Sequence, residues 1–566
     1  MTEATGPTLL ATGLVLIGSL CGCELLCGGR GLQSVSAAEW QWSVPVEPMP
    51  ERASLGETPR AFLWIPSGCR EVRGIVVGQH NMEEQPILEH PAFRKTLAEI
   101  GFAEIWIAPW FDGFFRFDEG VGERFDAMLA ALAVESGYGE LTQAPLVPMG
   151  HSAAASFPWC VAAWKPERTL ACVSVSGQWP YWLDEKNAPH VIGRSIDTVP
   201  GIVTVGEYEW ANDRMKDGLA ARGKHPRLPL TGVGCPADGH FNVTDEKVEL
   251  LALYLKKAAE YRLVESRDVG RPPSLAVVDP ETSGWLVDRY RAGKKPAGVP
   301  APVGAYEGTV AEAFWCFDEQ LARAVDTFQQ QHRGKPTLVG YVQDGGVIPQ
   351  DKNTHQQVTI AFRPEDDGCT FPLDATFLET VPEGRPERWT GQKAGEVVHL
   401  PANATSPLTI ERITGPIRHL GGSRWTLDFN RGSWLGDRRR NEAWLVAVWP
   451  GDDVFKRALQ QARLAVPTRN DKGAKQVISF EQPVDMVEGD EPQQLRATSS
   501  AGLPVRFTVR EGPAEMKGDM LHLTDIPVRA RMPILVTVVA WQFGRATEPR
   551  VQTAETVVRT LRVNSR

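Results

Sequence analysis

Between residues 62 and 261, short apolar runs alternate with longer stretches in which apolar positions recur at helical spacing. The runs are almost wholly apolar, which is typical of strands buried on both faces. In chain order they are FLWI, GIVV, EIWIAP, PLVP, ACVSV, GIVTV and LPLTGV. Strands and helices that alternate in this way predict a doubly wound α/β domain with a mostly parallel sheet.

Five stretches between these runs predict amphipathic helices, at residues 92–100, 123–134, 153–164, 211–221 and 245–261. The last has the clearest start signal, because Thr244 precedes it as a candidate N-cap and acidic residues occupy its first turn. Its apolar positions Val248, Leu251 and Leu255 lie on one helix face.

Beyond this region the pattern changes. Residues 266–302 are dense in Pro and Gly, as in a linker, and residues 305–466 mix one helical stretch with strand-like runs. Residues 475–563 carry short strand-like runs separated by Gly and Pro, which favours a β-sandwich. The pattern predicts a leader (1–38), an α/β domain (39–265), a mainly β accessory domain with its linker (266–474) and a C-terminal β-sandwich (475–566).

The N-terminus resembles an export segment. Residues 8–20, TLLATGLVLIGSL, are apolar but too short for a comfortable membrane span. Cys23 follows Leu20 at lipobox-like spacing, and residues 36–38, SAA, suit a signal peptidase. The prediction is a secreted, periplasmic or envelope-anchored bacterial protein, with a lipid on Cys23 as one form of anchor. The alternative is a buried N-terminal helix.

The net charge and the cysteine spacing limit which ligands and partners are expected for this chain. The formal net charge of −10 gives no reason to expect nucleic acid or an anionic membrane surface, so membrane contact is expected only through the lipid anchor. Six of the nine cysteines lie beyond the leader without C-x-x-C spacing, so no metal site is predicted. Either one or two disulfides, with Cys160 and Cys172 as the nearest pair, or isolated thiols fit the pattern.

Ser152 is the candidate nucleophile. It lies in GHSAA, where the run PLVP gives way to a helical stretch, and a tight strand-to-helix turn there requires small neighbours such as Gly150 and Ala154. Such a turn lifts the serine hydroxyl above the carboxyl edge of the sheet. A serine hydroxyl becomes a competent nucleophile only with a base and an acid that orients the base.

The expected chain order of the partners is acid, then histidine. The run GIVTV is followed by GEYEW, which offers Glu209 as the preferred acid and Glu207 as the alternative. The final strand-like run is followed by a Gly-rich loop containing His240, the expected base; the alternative is a loop histidine bonded to local backbone.

An oxyanion hole needs two donors directed at the developing charge. The backbone N–H of Ala153, directly after the candidate nucleophile, is the expected first donor. The loop GQHNM after the run GIVV offers Asn81 or Met82 as the second. The alternative is that this loop only turns the chain.

With these motifs in place, residues 58–263 resemble an α/β-hydrolase fold serine esterase, of the carbohydrate-esterase kind. The resemblance rests on GHSAA, GEYEW and DGHF in that order, while GQHNM departs from the usual His-Gly pair at the oxyanion strand. It implies acyl-enzyme hydrolysis by Ser152, His240 and Glu209 without a metal or organic cofactor. LRATSSAGLPVRFTV and VTVVAWQFG resemble bacterial immunoglobulin-like repeats of extracellular proteins, which favours export.

Three tryptophans near the expected active-site loops bear on the substrate. Trp110, Trp179 and Trp182 follow strand-like runs and could line a pocket for an aromatic acyl group or a glycan, or belong to the core. The predicted function is an exported serine esterase that cleaves acyl or methyl esters on polysaccharide. The alternatives are a serine peptidase of the same fold and a non-catalytic envelope binding or scaffold protein built on a degenerate hydrolase.

Overall fold

A computed structural model describes residues 40–566 except 57, 181–194, 265–273, 352–357, 385–391, 402–406, 430–441 and 468. The predicted leader, with Cys23, and Trp182 therefore lie outside the described residues. Within the described residues, no helix has both the length and the apolar character needed to cross a membrane.

The chain first builds an eight-stranded sheet. Its strands are β1 (Trp42–Pro45), β2 (Arg60–Trp64), β3 (Gly74–Gln79), β4 (Phe102–Ala108), β5 (Leu146–His151), β6 (Cys172–Val175), β7 (Gly201–Gly206) and β8 (Leu230–Cys235). Their spatial order is β1-β2-β4-β3-β5-β6-β7-β8. The six strands β4, β3, β5, β6, β7 and β8 pair parallel in that spatial order, whereas β2 pairs antiparallel with both β1 and β4. The mostly parallel sheet predicted from the sequence is confirmed.

Every residue of β3 to β8 is buried, so both faces of the sheet are covered, as the apolar runs predict. The helices of the described chain are α1 (Pro50–Ala53), α2 (Glu84–Leu88), α3 (Pro91–Ile100), α4 (Gly122–Ser136), α5 (Phe157–Trp164), α6 (Ala211–Lys224), α7 (Asp245–Arg262) and α8 (Glu319–Gln329). Thr244 caps α7 by accepting a hydrogen bond from the Lys247 N–H at 3.2 Å.

The helix after β5 starts later than predicted. A helix from residue 153 is expected from the sequence, but residues 152–154 form a 3-10 turn and α5 begins at Phe157. Pro158 lies in the first turn of α5, where its missing N–H costs no hydrogen bond.

Residues 278–328 share the hydrophobic core of the large sheet, although the sequence groups them with the accessory domain. Their contact with β8 is close. A Cβ on Gly232 would lie 2.6 Å from the Phe314 ring, and a Cβ on Gly234 would lie 2.2 Å from the Tyr290 ring. The two glycines therefore let this segment pack directly on the last parallel strand.

The rest of the described chain is rich in short strands. They are β9 (Leu263–Val264), β10 (Ser274–Leu275), β11 (Trp285–Asp288), β12 (Ala301–Pro302), β13 (Ala313–Cys316), β14 (Val339–Gln343), β15 (Gly346–Val347), β16 (Val358–Ile360), β17 (Thr370–Pro372), β18 (Asp374–Phe377), β19 (Thr409–Thr414), β20 (Ile417–Gly421), β21 (Arg424–Leu427), β22 (Glu442–Trp449), β23 (Ala458–Ala465), β24 (Ile478–Phe480), β25 (Met486–Val487), β26 (Gln493–Gln494), β27 (Ala497–Ser499), β28 (Arg506–Glu511), β29 (Ala514–Lys517), β30 (Met520–Leu523), β31 (Ile534–Trp541) and β32 (Val557–Asn564).

These strands form several small sheets. The sheet β16-β23-β22-β19 takes its strands from a first region, residues 358–465, and β25-β32-β31-β28 takes its strands from a C-terminal region, residues 486–564. The first region packs around a hydrophobic cluster that also contains Trp541 and Phe543 of the C-terminal region, and the C-terminal region has a second cluster. The predicted β-rich regions after the α/β part are therefore present, while the immunoglobulin-like resemblance and the domain boundaries stay predictions.

The six cysteines of the described residues, Cys69, Cys160, Cys172, Cys235, Cys316 and Cys369, are all buried free thiols. The structure therefore favours isolated thiols over a disulfide between Cys160 and Cys172.

Candidate active site

Ser152 occupies the sharp turn between β5 and α5. Its φ is +53°, a left-handed conformation that a residue with a Cβ adopts at a cost in free energy. A Cβ on Gly150 would lie 1.9 Å from the Ala154 carbonyl oxygen, so glycine is required there. The local sequence thus produces the predicted elbow, which presents the serine hydroxyl at the carboxyl end of the central strand.

Three side chains that are distant in sequence meet at this elbow. His240 Nε2 lies 2.6 Å from Ser152 Oγ, and His240 Nδ1 is hydrogen-bonded to Glu209 Oε1. His240 and Glu209 are both buried, at 6% and 8% exposure, so the interaction of their side chains is shielded from water. These partners assign the tautomer in which Nδ1–H donates to Glu209 and Nε2 accepts from the serine hydroxyl.

Glu209 is held as a carboxylate. Burial alone would raise its pKa, but His240, through its charge and hydrogen bond, and the nearby Arg214 together lower the pKa below its ordinary value. A guanidinium nitrogen of Arg214, on α6, lies 3.9 Å from Glu209 Oε1. The carboxyl group beside His240 is therefore ionised at neutral pH and able to stabilise an imidazolium.

Glu207, the alternative acid, faces other partners. Its carboxylate accepts hydrogen bonds from Lys456 Nζ at 2.9 Å, the Ala237 N–H at 2.8 Å and the Tyr290 hydroxyl at 3.0 Å. Burial opposes ionisation, but these partners lower the pKa of Glu207. Of the two carboxylates in GEYEW, Glu209 is the one that reaches the histidine.

The predicted oxyanion donors differ in their surroundings. Ala153 follows Ser152 in the turn and is exposed. The N–H groups of Asn81 and Met82 instead donate to Glu84 Oε2, at 3.1 and 2.8 Å. Either group can reach a substrate oxygen only by sharing or exchanging its bond to Glu84, a constraint that the sequence did not indicate.

Glu84 links the loop after β3 to the nucleophile strand. Its Oε1 accepts a hydrogen bond from the His151 N–H at 2.6 Å, while its Oε2 accepts the two bonds from the loop. Glu84 is fully buried, and burial raises its pKa to about 7 although the backbone donors oppose this shift. A buried acidic residue in a short helix carries no hydrophobic signal, which is why sequence reasoning missed it.

Replacing Glu84 tests this linkage through pH. The pKa in the folded protein lies above the ordinary value, so the stabilising contribution is present at low pH and is lost as pH rises through about 7. We expect the free energy of unfolding of the wild type to fall relative to Glu84→Gln by about 2 kcal/mol between pH 5 and 8. Urea unfolding across this range measures the difference, and a difference independent of pH would contradict the assignment.

The tryptophans proposed for substrate contact belong to the core where the structure describes them. Trp179 is 2% exposed and stacks on Phe314, with ring centroids 5.5 Å apart, and it also packs against Gly218. Trp110 is buried in the same cluster, near the Arg52 guanidinium. For Trp179 and Trp110 the structure favours the core alternative over a substrate-facing role.

His151 also supports the site. Its Nε2 lies 3.0 Å from the His240 carbonyl oxygen, so this nitrogen carries the proton and donates to that oxygen. The rings of His151 and His240 lie 5.0 Å apart. The place of His151 beside the nucleophile is visible in the sequence, but its partner 89 residues away is not. Among the described residues, no group of three or more His, Cys, Asp or Glu could hold a metal ion.

Comparison with known proteins gives matches among solved structures alone. No protein-family model and no curated protein matches the chain. The siderophore hydrolase EstA from Aspergillus nidulans is 14% identical and has a TM-score of 0.29, with 39% of this chain and 95% of that chain covered. Dienelactone hydrolase from Anabaena variabilis is 20% identical over 38% of this chain and 95% of that chain, with a TM-score of 0.27.

An S-formylglutathione hydrolase from Agrobacterium tumefaciens is 13% identical, with 40% of this chain and 98% of that chain covered and a TM-score of 0.28. All three proteins are hydrolases by name. Their similarity to this chain is too low to show a shared activity.

Proposed function

We propose that this protein is a serine hydrolase that cleaves carboxylic esters through an acyl-enzyme formed on Ser152. The observation that carries the proposal is the continuous hydrogen-bonded array from Ser152 Oγ through His240 to Glu209, with 2.6 Å between Ser152 Oγ and His240 Nε2. This is the arrangement that turns a weakly nucleophilic hydroxyl into an active one.

The chemistry follows from these three groups. His240 Nε2 takes the hydroxyl proton as Ser152 Oγ attacks the ester carbonyl, and Glu209 stabilises the imidazolium that forms. The imidazolium then protonates the departing alcohol oxygen as the ester C–O bond breaks. Water, deprotonated by the same imidazole, attacks the acyl-enzyme, and the proton returns to Ser152 as the acid leaves. The Ala153 N–H is the first donor for the oxyanion.

For the substrate we propose acyl or methyl esters on polysaccharide, met outside the cytoplasm. Support comes from the predicted export segment, from the resemblance of the C-terminal strings to modules of extracellular proteins, and from the β-rich regions that follow the α/β part.

The test combines small and polymeric substrates. We expect the full chain to release acid from a short aryl acetate and to leave aminoacyl amides intact, whereas amide cleavage would favour a peptidase. Acetylated, methylated and feruloylated glycans then resolve the substrate class. A folded protein that hydrolyses no ester and reacts with no fluorophosphonate would contradict the proposal and favour the non-catalytic scaffold alternative.

The two carboxylates of GEYEW provide a matched pair of variants. Glu209→Gln is expected to lower kcat by about 10² to 10³-fold, because the imidazolium loses its counter-charge and the histidine its orienting partner. Glu207→Gln is expected to keep kcat within about 5-fold, while its unfolding temperature falls because the largely buried Lys456 ammonium loses its counter-charge. Kinetics on the aryl acetate and thermal unfolding separate the two effects. The reverse ranking in kcat would show that Glu207 is the acid.

A further inference from the structure

The loops after β3, β7 and β8 all pack against one sheet from a distant part of the chain, β16-β23-β22-β19, which we call the β22–β23 sheet. Met82, Tyr208 and Phe241 come from the three loops in turn. They share one hydrophobic cluster with residues of β19, β22 and β23, together with Ala237; the partners on the sheet are Ile413, Trp444, Val446, Val448 and Leu459. The loops that carry the candidate acid and base are thus covered by one surface.

Gln461, on β23, contacts the backbone on both sides of His240. Its Oε1 accepts a hydrogen bond from the Phe241 N–H at 2.6 Å. The same atom would lie 2.5 Å from a Cβ on Gly239, so the loop approaches the glutamine as closely as glycine permits. Gln461 is fully buried, and the loss of an acceptor there would leave a buried N–H without its partner.

Arg457 fixes the start of the same loop. It forms an ion pair with Asp238 and also donates to the Pro236 carbonyl oxygen at 3.3 Å. Arg457 and Asp238 are 6% and 1% exposed, and Asp238 also accepts a hydrogen bond from Asn242 and lies 3.9 Å from Lys247 Nζ. Next to Arg457, Lys456 binds Glu207 on the acid loop at 2.9 Å. Charged and polar side chains of residues 456–461 therefore hold both loops.

Aromatic contacts also connect the histidine loop to the β22–β23 sheet. The Phe241 ring packs edge-on against the His240 ring, with centroids 4.4 Å apart, and also lies 4.4 Å from the Trp444 ring on β22. Any movement of the sheet relative to the loop would pass directly to the imidazole through Phe241.

We propose that Gln461 and Arg457 are positioning residues that hold the histidine loop so that His240 Nε2 faces Ser152. The β22–β23 sheet is then part of the catalytic unit rather than an appended module. This inference rests on the proposed function, since it takes His240 as the base. Misplacement of a reacting group by about 1 Å costs on the order of 10²-fold in rate, so a small shift of the loop is enough to lower kcat.

Gln461→Met tests the proposal by removing the acceptor while keeping the length of the side chain. We expect kcat per active site on the aryl acetate to fall about 10 to 100-fold, with KM changed less than about 3-fold, because the base is displaced and substrate contacts are kept. Active sites are counted by fluorophosphonate titration, so partial unfolding does not mimic the effect. Gln461→Asn, whose shorter amide cannot reach Phe241, is expected to behave in the same way.

Gln476→Met is the matched control. Gln476 is a buried glutamine just before β24 that bonds the Gln552 carbonyl oxygen and the Ser499 hydroxyl, and these bonds do not involve the catalytic loops. The Gln476→Met variant is expected to lose a similar amount of stability and to keep the wild-type kcat per active site.

Arg457 is tested by a second pair of variants. Arg457→Lys, which keeps a positive charge beside Asp238, is expected to retain more of kcat than Arg457→Met.

The possible failures are distinguishable. An inert, unlabelled wild type would refute the proposed function. A reactive wild type together with a folded Gln461→Met or Gln461→Asn that keeps kcat within about 2-fold would overturn the positioning role alone. If neither variant folds, hydrogen exchange of the Phe241 amide in the wild type decides: strong protection supports the bond to Gln461, and exchange as fast as in an open loop overturns it.

Discussion

Ser152→Ala is expected to lower kcat for a short aryl acetate by at least about 10³-fold and to abolish labelling by a fluorophosphonate. The hydroxyl is the atom that forms the acyl-enzyme, and the structure places His240 Nε2 within 2.6 Å of it. Alanine keeps the Cβ at the same left-handed backbone position, so the unfolding temperature is expected to change little. Steady-state kinetics, labelling and thermal unfolding of the same preparation measure the three effects.

Ser156→Ala is the matched control for this variant. Ser156 lies four residues further on, immediately before α5, and its side chain makes no capping hydrogen bond to that helix. It is expected to keep wild-type kcat and labelling. Ester hydrolysis by Ser152→Ala at more than about a tenth of the wild-type rate would show that another group is the nucleophile.

His240→Gln is expected to have the second largest effect, a fall in kcat of about 10³-fold. Glutamine keeps much of the side-chain volume but cannot take the proton from Ser152. Because the three groups act as a unit, the double variant with Ser152→Ala is expected to be no slower than Ser152→Ala alone. Steady-state kinetics of the two single variants and the double variant on one substrate measure whether their losses in kcat add.

His419→Gln provides the control for the histidine. His419, on β20, bonds the Gly422 carbonyl oxygen, and its loss is expected to leave kcat unchanged. Additive losses in the Ser152→Ala and His240→Gln double variant would mean that the histidine acts independently of the serine, contrary to the geometry.

Much of the α/β part could be predicted because its strands are buried on both faces and are therefore apolar throughout. The runs GIVV and GIVTV correspond to β3 and β7, and the helix predicted at 245–261 is α7. The helix α2 could not be predicted, because Glu84 and Gln85 are buried polar residues and break the pattern that marks a buried helix. Polar burial is decided by tertiary partners, which local periodicity does not contain.

The candidate site likewise has residues that the sequence could predict and residues that it could not. The positions of Ser152, Glu209 and His240 after β5, β7 and β8 follow from topology, since the carboxyl ends of parallel strands share one edge of a sheet. The contact between Gln461 and Phe241 spans 220 residues and could not be predicted from either segment. One signal was available: β23 reads ALQQARLA, and polar residues in a strand that is almost wholly buried indicate partners on another element.

Mass spectrometry of the fluorophosphonate-treated protein identifies the nucleophile itself. We expect one adduct per chain, located on Ser152, absent from Ser152→Ala and formed more slowly in His240→Gln. An unmodified Ser152 in a protein that still hydrolyses esters, or an adduct on a different residue, would contradict the assignment of Ser152 as the nucleophile.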